Sequence, residues 1–138
     1  MEFDRTALIQ AAFAAREYAY APYSRFKVGA ALLTAQGKVY TGCNIESATY
    51  SPTNCAERTA VFKAVSEGER QFIAVAIVGS LEGKQNTLIT SPCGVCRQVL
   101  YEFGGDDLIV IMAKSEKDYT EMLLKDLLPL GFGAQNIQ

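Results

Sequence analysis

The chain has 138 residues, is 49% hydrophobic and carries a formal net charge of -2, which suits one globular domain over residues 1–138 with a sizeable core. No basic tract stands out, so neither nucleic acid nor an anionic membrane is an expected partner. Histidine is absent, which excludes Ser-His and Cys-His nucleophile pairs, His-ligated metals and imidazole as general base.

Asp4 is a candidate cap for a first helix carrying Leu8, Ile9, Ala12, Phe13 and Arg16 at helical spacing, with Ala21-Pro22 as its stop. Lys27–Thr34 and Lys38–Cys43 read as strands joined by a short hairpin loop at Ala35-Gln36-Gly37. Asn44–Ser51 is polar and irregular, and a helix is predicted from about Cys55 to Glu67 with Gly68 as its C-terminal stop. Phe72–Gly79 is an unbroken apolar run, the mark of a strand buried on both faces, and Leu81–Thr90 is loop. Ser91 as N-cap and Pro92 in the first helical position open a third helix to about Phe103. Leu108–Ala113 is a further buried strand, Tyr119–Met122 an edge strand, and Leu124–Leu128 a short helix stopped by Pro129. This order predicts a three-layer α-β-α sandwich around a five-stranded mixed sheet.

The chemistry concentrates in Thr53-Asn54-Cys55-Ala56-Glu57-Arg58 and Ser91-Pro92-Cys93-Gly94-Val95-Cys96-Arg97. The start of the chain has no apolar core followed by a cleavage site, and no apolar run reaches bilayer length. The cysteines are therefore expected as reduced thiols of a cytoplasmic protein, where Cys-x-x-Cys signals metal or redox chemistry. Thiolates from Cys55, Cys93 and Cys96 can hold Zn²⁺ and leave its fourth tetrahedral position for water. Glu57, two residues past the first ligand, can then move protons on and off that water. Helix N-termini beneath the cysteines favour thiolate, and Arg58 can tune the site by hydrogen-bonding to the sulfurs. Three other readings remain open at this point. Asn54-x-x-Glu57 has the spacing of a capping box. Cys43 could close a structural site as a fourth thiolate. Cys93 and Cys96 could form a redox pair.

Cys55-Ala56-Glu57 with Pro92-Cys93-x-x-Cys96 resembles the signature of the zinc-dependent nucleoside deaminases. The similarity to the small cytidine deaminases extends through Tyr23-Ser24-x-Phe26-x-Val28-Gly29-Ala30-Ala31 and Gly42-Cys43-Asn44-Ile45-Glu46. It continues in Cys55–Ala60, Ser91–Gln98 and Leu127-Leu128-Pro129 with Phe132, so that it covers nearly the whole chain. One departure is Thr53, where small members often carry another cysteine; that position is not a ligand. The resemblance implies one Zn²⁺ per subunit and hydrolytic deamination of free cytidine or deoxycytidine in pyrimidine salvage. In that chemistry Glu57 passes a proton from water to N3 of the base and then to the departing amino group. It further implies that Phe26 packs around the nucleoside, Asn44 and Glu46 bind the ribose, and the Ala56 backbone reads the base. Tyr50 and Phe132 are implied to approach a neighbouring subunit's site in a homotetramer. Two rival expectations are a blasticidin S deaminase-like enzyme, against which Asn44-Ile45-Glu46 argues, and a non-catalytic zinc-stabilised binding protein.

Overall fold

The computed structural model describes residues 2–138. Helix α1, Arg5–Arg16, starts where Asp4 Oδ1 accepts from the Ala7 N-H at 3.0 Å, as the sequence suggests. It stops well short of Ala21. The N-H groups of Glu17, Tyr18 and Ala19 reach back only three residues, and Tyr20 then leaves the helix to pair with the segment around Ile45. Tyr20 N-H donates to Asn44 O at 2.9 Å and Tyr20 O accepts from Glu46 N-H at 2.9 Å. A tertiary pairing, absent from any local pattern, therefore ends α1.

Strands β1 (Phe26–Thr34) and β2 (Val39–Cys43) form the expected hairpin. After α2 (Ala56–Ser66), strand β3 (Phe72–Leu81) pairs antiparallel with β1. Helix α3 (Gly94–Gly104) then crosses to β4 (Ile109–Ala113), which lies parallel to β3. Strand β5 (Tyr119–Leu123) closes the edge, followed by the short α4 (Leu124–Leu127). The sheet order is β2-β1-β3-β4-β5, so the five-stranded mixed sheet is as expected.

Alternation along the strands builds both cores. Ala30, Leu32, Val75, Ile77, Val110 and Met112 face Ala60, Val61 and Ala64 of α2 and Leu100 of α3. The intervening Ala31, Leu33, Ala74, Ala76, Val78 and Ile111 face Leu8, Ile9 and Ala12 of α1. A period of two in strands covered on both faces yields continuous apolar runs, hence the predicted burial of β3 and β4.

One glycine decides how closely the functional helix approaches. A Cβ on Gly42 of β2 would lie 2.5 Å from both Ala56 O and Ala60 N. The first turn of α2 thus rests directly on strand backbone. The start of α3 differs from expectation. Cys93, not Ser91, is the N-cap, and Pro92 stays outside the helix. Cys93 remains extended at ψ 168°, and the first ladder bond runs from Arg97 N-H to Cys93 O at 2.9 Å.

Candidate metal centre

Cys55 and Cys93 are the N-caps of α2 and α3, and Cys96 lies in the first turn of α3. Neither cap side chain makes a capping bond to the backbone N-H groups of its helix. Both are left free to point elsewhere, and the three Sγ atoms converge within 4.8 Å of one another. Cys55 and Cys93 Sγ are 3.9 Å apart. Two thiolates on one tetrahedral zinc, each ~2.3 Å from the metal, should stand ~3.8 Å apart. The donor set is soft sulfur from three side chains, which suits Zn²⁺ rather than a hard cation. Cys43 does not belong to the cluster: among the described residues the group comprises Cys55, Cys93 and Cys96 alone. The reading of a closed four-cysteine site is thereby removed.

The cluster is electrostatically arranged for anionic sulfur. Arg58 Nη2 donates to Cys55 Sγ at 3.1 Å. The Cys55 thiol is pulled well below its ordinary value by a hydrogen bond from Cys96 and, against the cost of burial, by Arg58. Cys96 moves the other way, since it shares its proton with Cys55 and is itself buried. Burial opposes the charge on Arg58, but the sulfurs of Cys55 and Cys96 outweigh it and raise its affinity for its proton. Metal binding requires the remaining thiol protons to leave.

Glu57 is 4% exposed. Burial pushes its carboxyl up to about 7, opposed by its own backbone N-H and assisted by the charge on Cys55. A carboxyl poised near neutrality can both take and give a proton there. The capping-box alternative fails on geometry. The cap is Cys55, the Asn54 N-H goes to Ile45 O at 2.9 Å, and Asn54 Nδ2 goes to Thr59 Oγ1 at 3.2 Å. Glu57 is thus free of that duty. Ala56, the first residue of α2, is fully buried between the two.

The other candidate residues are held by the strand-to-loop junctions. Asn44 Oδ1 accepts from Val28 N-H at 2.8 Å and Nδ2 donates to Phe26 O at 2.8 Å. The side chain so extends the edge of β1, with one amide hydrogen and one lone pair left over. Glu46 accepts from the Tyr23 N-H at 3.0 Å, the Ser24 N-H at 3.1 Å and the Ser24 hydroxyl. The Ser24 hydroxyl chiefly holds its carboxyl below the usual range. Phe26 is half-buried and lines a cleft of 640 Å³ with Gly79, Thr90 and the loop before it. Tyr23, Ser24, Glu46, Tyr50 and Thr53 line a second cleft of 370 Å³. Tyr23 is exposed and meets Tyr50 edge-on at 6.2 Å. Tyr50 adopts φ 66° and is 71% exposed, while Phe132 is 61% exposed with its carbonyl held by Gln98 Nε2 at 2.8 Å.

Sequence reasoning assigned no part to Ser24, Thr59 or Arg97. Ser24 lies inside the Tyr23-Ser24-x-Phe26 run, which is a signal in the sequence; its service to Glu46 needs the fold. Thr53 accepts from Ser47 N-H at 3.0 Å, pinning the loop that carries Tyr50.

Comparison with known proteins agrees with this geometry. A family model described as the cytidine and deoxycytidylate deaminase zinc-binding region matches residues 2–112. A cytidine deaminase of Sporosarcina psychrophila is 50% identical over 123 residues, covering 89% of this chain and 87% of the relative. One of Halalkalibacterium halodurans is 48% identical over 134 residues, covering 97% and 98%. The crystal structure of cytidine deaminase from Burkholderia pseudomallei superposes with a TM-score of 0.83 at 51% identity, covering 91% of this chain and 97% of that one. The cysteine cluster fits the zinc-binding region that this family model describes, and the chain belongs to the cytidine and deoxycytidylate deaminase family.

Proposed function

We propose that the protein hydrolyses the exocyclic amine of free cytidine and deoxycytidine, consuming one water and producing uridine or deoxyuridine and ammonia. The observation that carries this is the buried Glu57 placed two residues after Cys55, where three sulfurs converge. Cys55, Cys93 and Cys96 hold Zn²⁺, which when bound supplies Lewis-acid activation of water.

The chain's own residues do the rest. Glu57, buried beside the cysteine cluster, holds a proton taken from water, delivers it to N3 of the base and later protonates the amino group that leaves as ammonia. Arg58 keeps the sulfurs anionic. The Ala56 backbone, at the start of α2 beside Glu57, reads the base. Phe26 packs on the nucleoside, and Asn44 and Glu46 take the ribose hydroxyls. Both are presented by hydrogen bonds that already fix their orientation, so little is lost on binding. The exposed rings of Tyr50 and Phe132 complete a neighbouring subunit's site in a homotetramer. The protein acts in pyrimidine salvage in the cytoplasm. Among the described residues no helix is long and apolar enough to cross a membrane.

Uridine and ammonia formed from cytidine, and lost after treatment with a strong chelator, test the reaction. Zinc binding without ammonia release would leave only a zinc-stabilised binding protein. Faster turnover of blasticidin S than of cytidine would assign the other deaminase class. A single-subunit mass in light scattering would remove the shared site.

A further inference from the structure

The reaction leaves one arginine near the cluster without a part. Arg97 follows Cys96 in α3 and is half-buried. Among the described residues no carboxylate lies within ion-pair distance of it. Its guanidinium donates instead to two carbonyl oxygens, Nε to Pro92 O at 2.7 Å and Nη1 to Leu127 O at 2.7 Å. Both oxygens need an outside donor. Pro92 is buried and precedes the N-cap of α3, so its carbonyl lies outside the helix ladder. Leu127 is the last residue of α4, where carbonyls have no partner within the helix.

The three cysteines are not held alike. Cys96 is buried within α3, and Cys55 is gripped by Arg58. Cys93 is exposed, makes no side-chain cap bond and, among the described residues, receives no arginine hydrogen bond. Its place therefore depends on the backbone of the Pro92-Cys93 turn. Among the described residues the one side-chain donor to that turn is Arg97, braced from the far side by Leu127. A planar guanidinium spanning two fixed acceptors holds their separation, which a flexible ammonium cannot do.

We propose that Arg97 is a positioning residue of the metal site: it locks the Pro92-Cys93 turn against the end of α4, so that the Cys93 sulfur stays in register with Cys55 and Cys96. The inference rests on reading these cysteines as the zinc ligands. Zinc release from the loaded protein to a chromogenic chelator, without substrate and well below the unfolding temperature, tests it. Arg97→Met removes both donations but keeps a long side chain, and should release zinc at least about tenfold faster than wild type. Arg97→Lys, able to serve one carbonyl only, should fall between the two. Leu8→Ala, which loosens the opposite core under α1, should release zinc at the wild-type rate. Wild-type release from Arg97→Met overturns the proposal, as does equal acceleration in Leu8→Ala, which would make the effect one of general stability. If Arg97→Met does not fold, wild-type release from Arg97→Lys overturns it. Release is read without turnover, so an inactive wild-type protein would sink the proposed reaction while leaving this test intact.

Discussion

Arg58 Nη2 sits 3.1 Å from the Cys55 sulfur, three residues further along the same helix. That spacing brings side chains onto one helical face, so the cation stays beside the thiolate whether or not a metal is present. A half-buried sulfur anion without its donor is costly. Arg58→Met should therefore weaken zinc binding about 10–100-fold, as loss of groups that orient metal ligands does. Competition with a chelator of known affinity measures it, and unchanged affinity would show that the contact is incidental.

Glu57 lies deep enough that a neutral amide of the same shape fits its space. Glu57→Gln should retain one zinc per chain while turnover falls by at least about 10²-fold, the range lost with a positioned acid-base group. Ammonia release and metal analysis on the same preparation give both numbers. Substantial remaining turnover would assign the proton transfer elsewhere.

The same carboxyl makes the stability of the metal-stripped protein depend on pH. Its value rises from 4.5 in the unfolded chain to about 7 when folded, chiefly through burial. The folded form thus holds a proton that the unfolded form has released, and the associated stability, complete below pH 4.5, is lost as pH rises through about 7. Glu57→Gln has no such proton. Relative to wild type, the stripped variant should gain on the order of 3 kcal/mol between pH 4.5 and 8. Urea unfolding of both across this range measures the gap; parallel curves would mean a solvated carboxylate.

Gly42 offers a mechanical test of how the site is mounted. Its Cα hydrogen faces backbone atoms Ala56 O and Ala60 N, which cannot rotate away from an added methyl as a side-chain end can. Gly42→Ala should cost about 1–3 kcal/mol, typical of overpacking. It should also displace the turn that carries Cys55 and Glu57. Urea midpoints and zinc affinity should fall together; a stable variant with normal zinc affinity would show that α2 can shift without consequence.

Much of this molecule was readable in one dimension. The apolar runs at β3 and β4, the Asp4 cap and the Gly68 stop follow from local rules of periodicity and backbone freedom, and the structure has them close to where they were expected. The errors fall where a distant partner competes with local preference. Tyr20 ends α1 by pairing with Asn44 and Glu46, which no helical pattern encodes. Ser91-Pro92 has the form of a helix start, yet Cys93 takes the cap position at the mouth of α3.

The sequence by itself determined the chemistry available: no histidine, four cysteines of which two form a Cys-x-x-Cys pair, and a glutamate two residues past Cys55. Residue types and short spacings are enough to say which atoms can bind metal and carry protons. Only the tertiary structure decided which of those atoms meet. It put Cys43 outside the cluster, released Glu57 from helix capping, and gave Asn44 and Glu46 their supports on β1 and Ser24. The physical reason is that convergence of α2 and α3 depends on how each packs on the sheet, as α2 does at Gly42, and no local spacing places side chains nearly forty residues apart in contact.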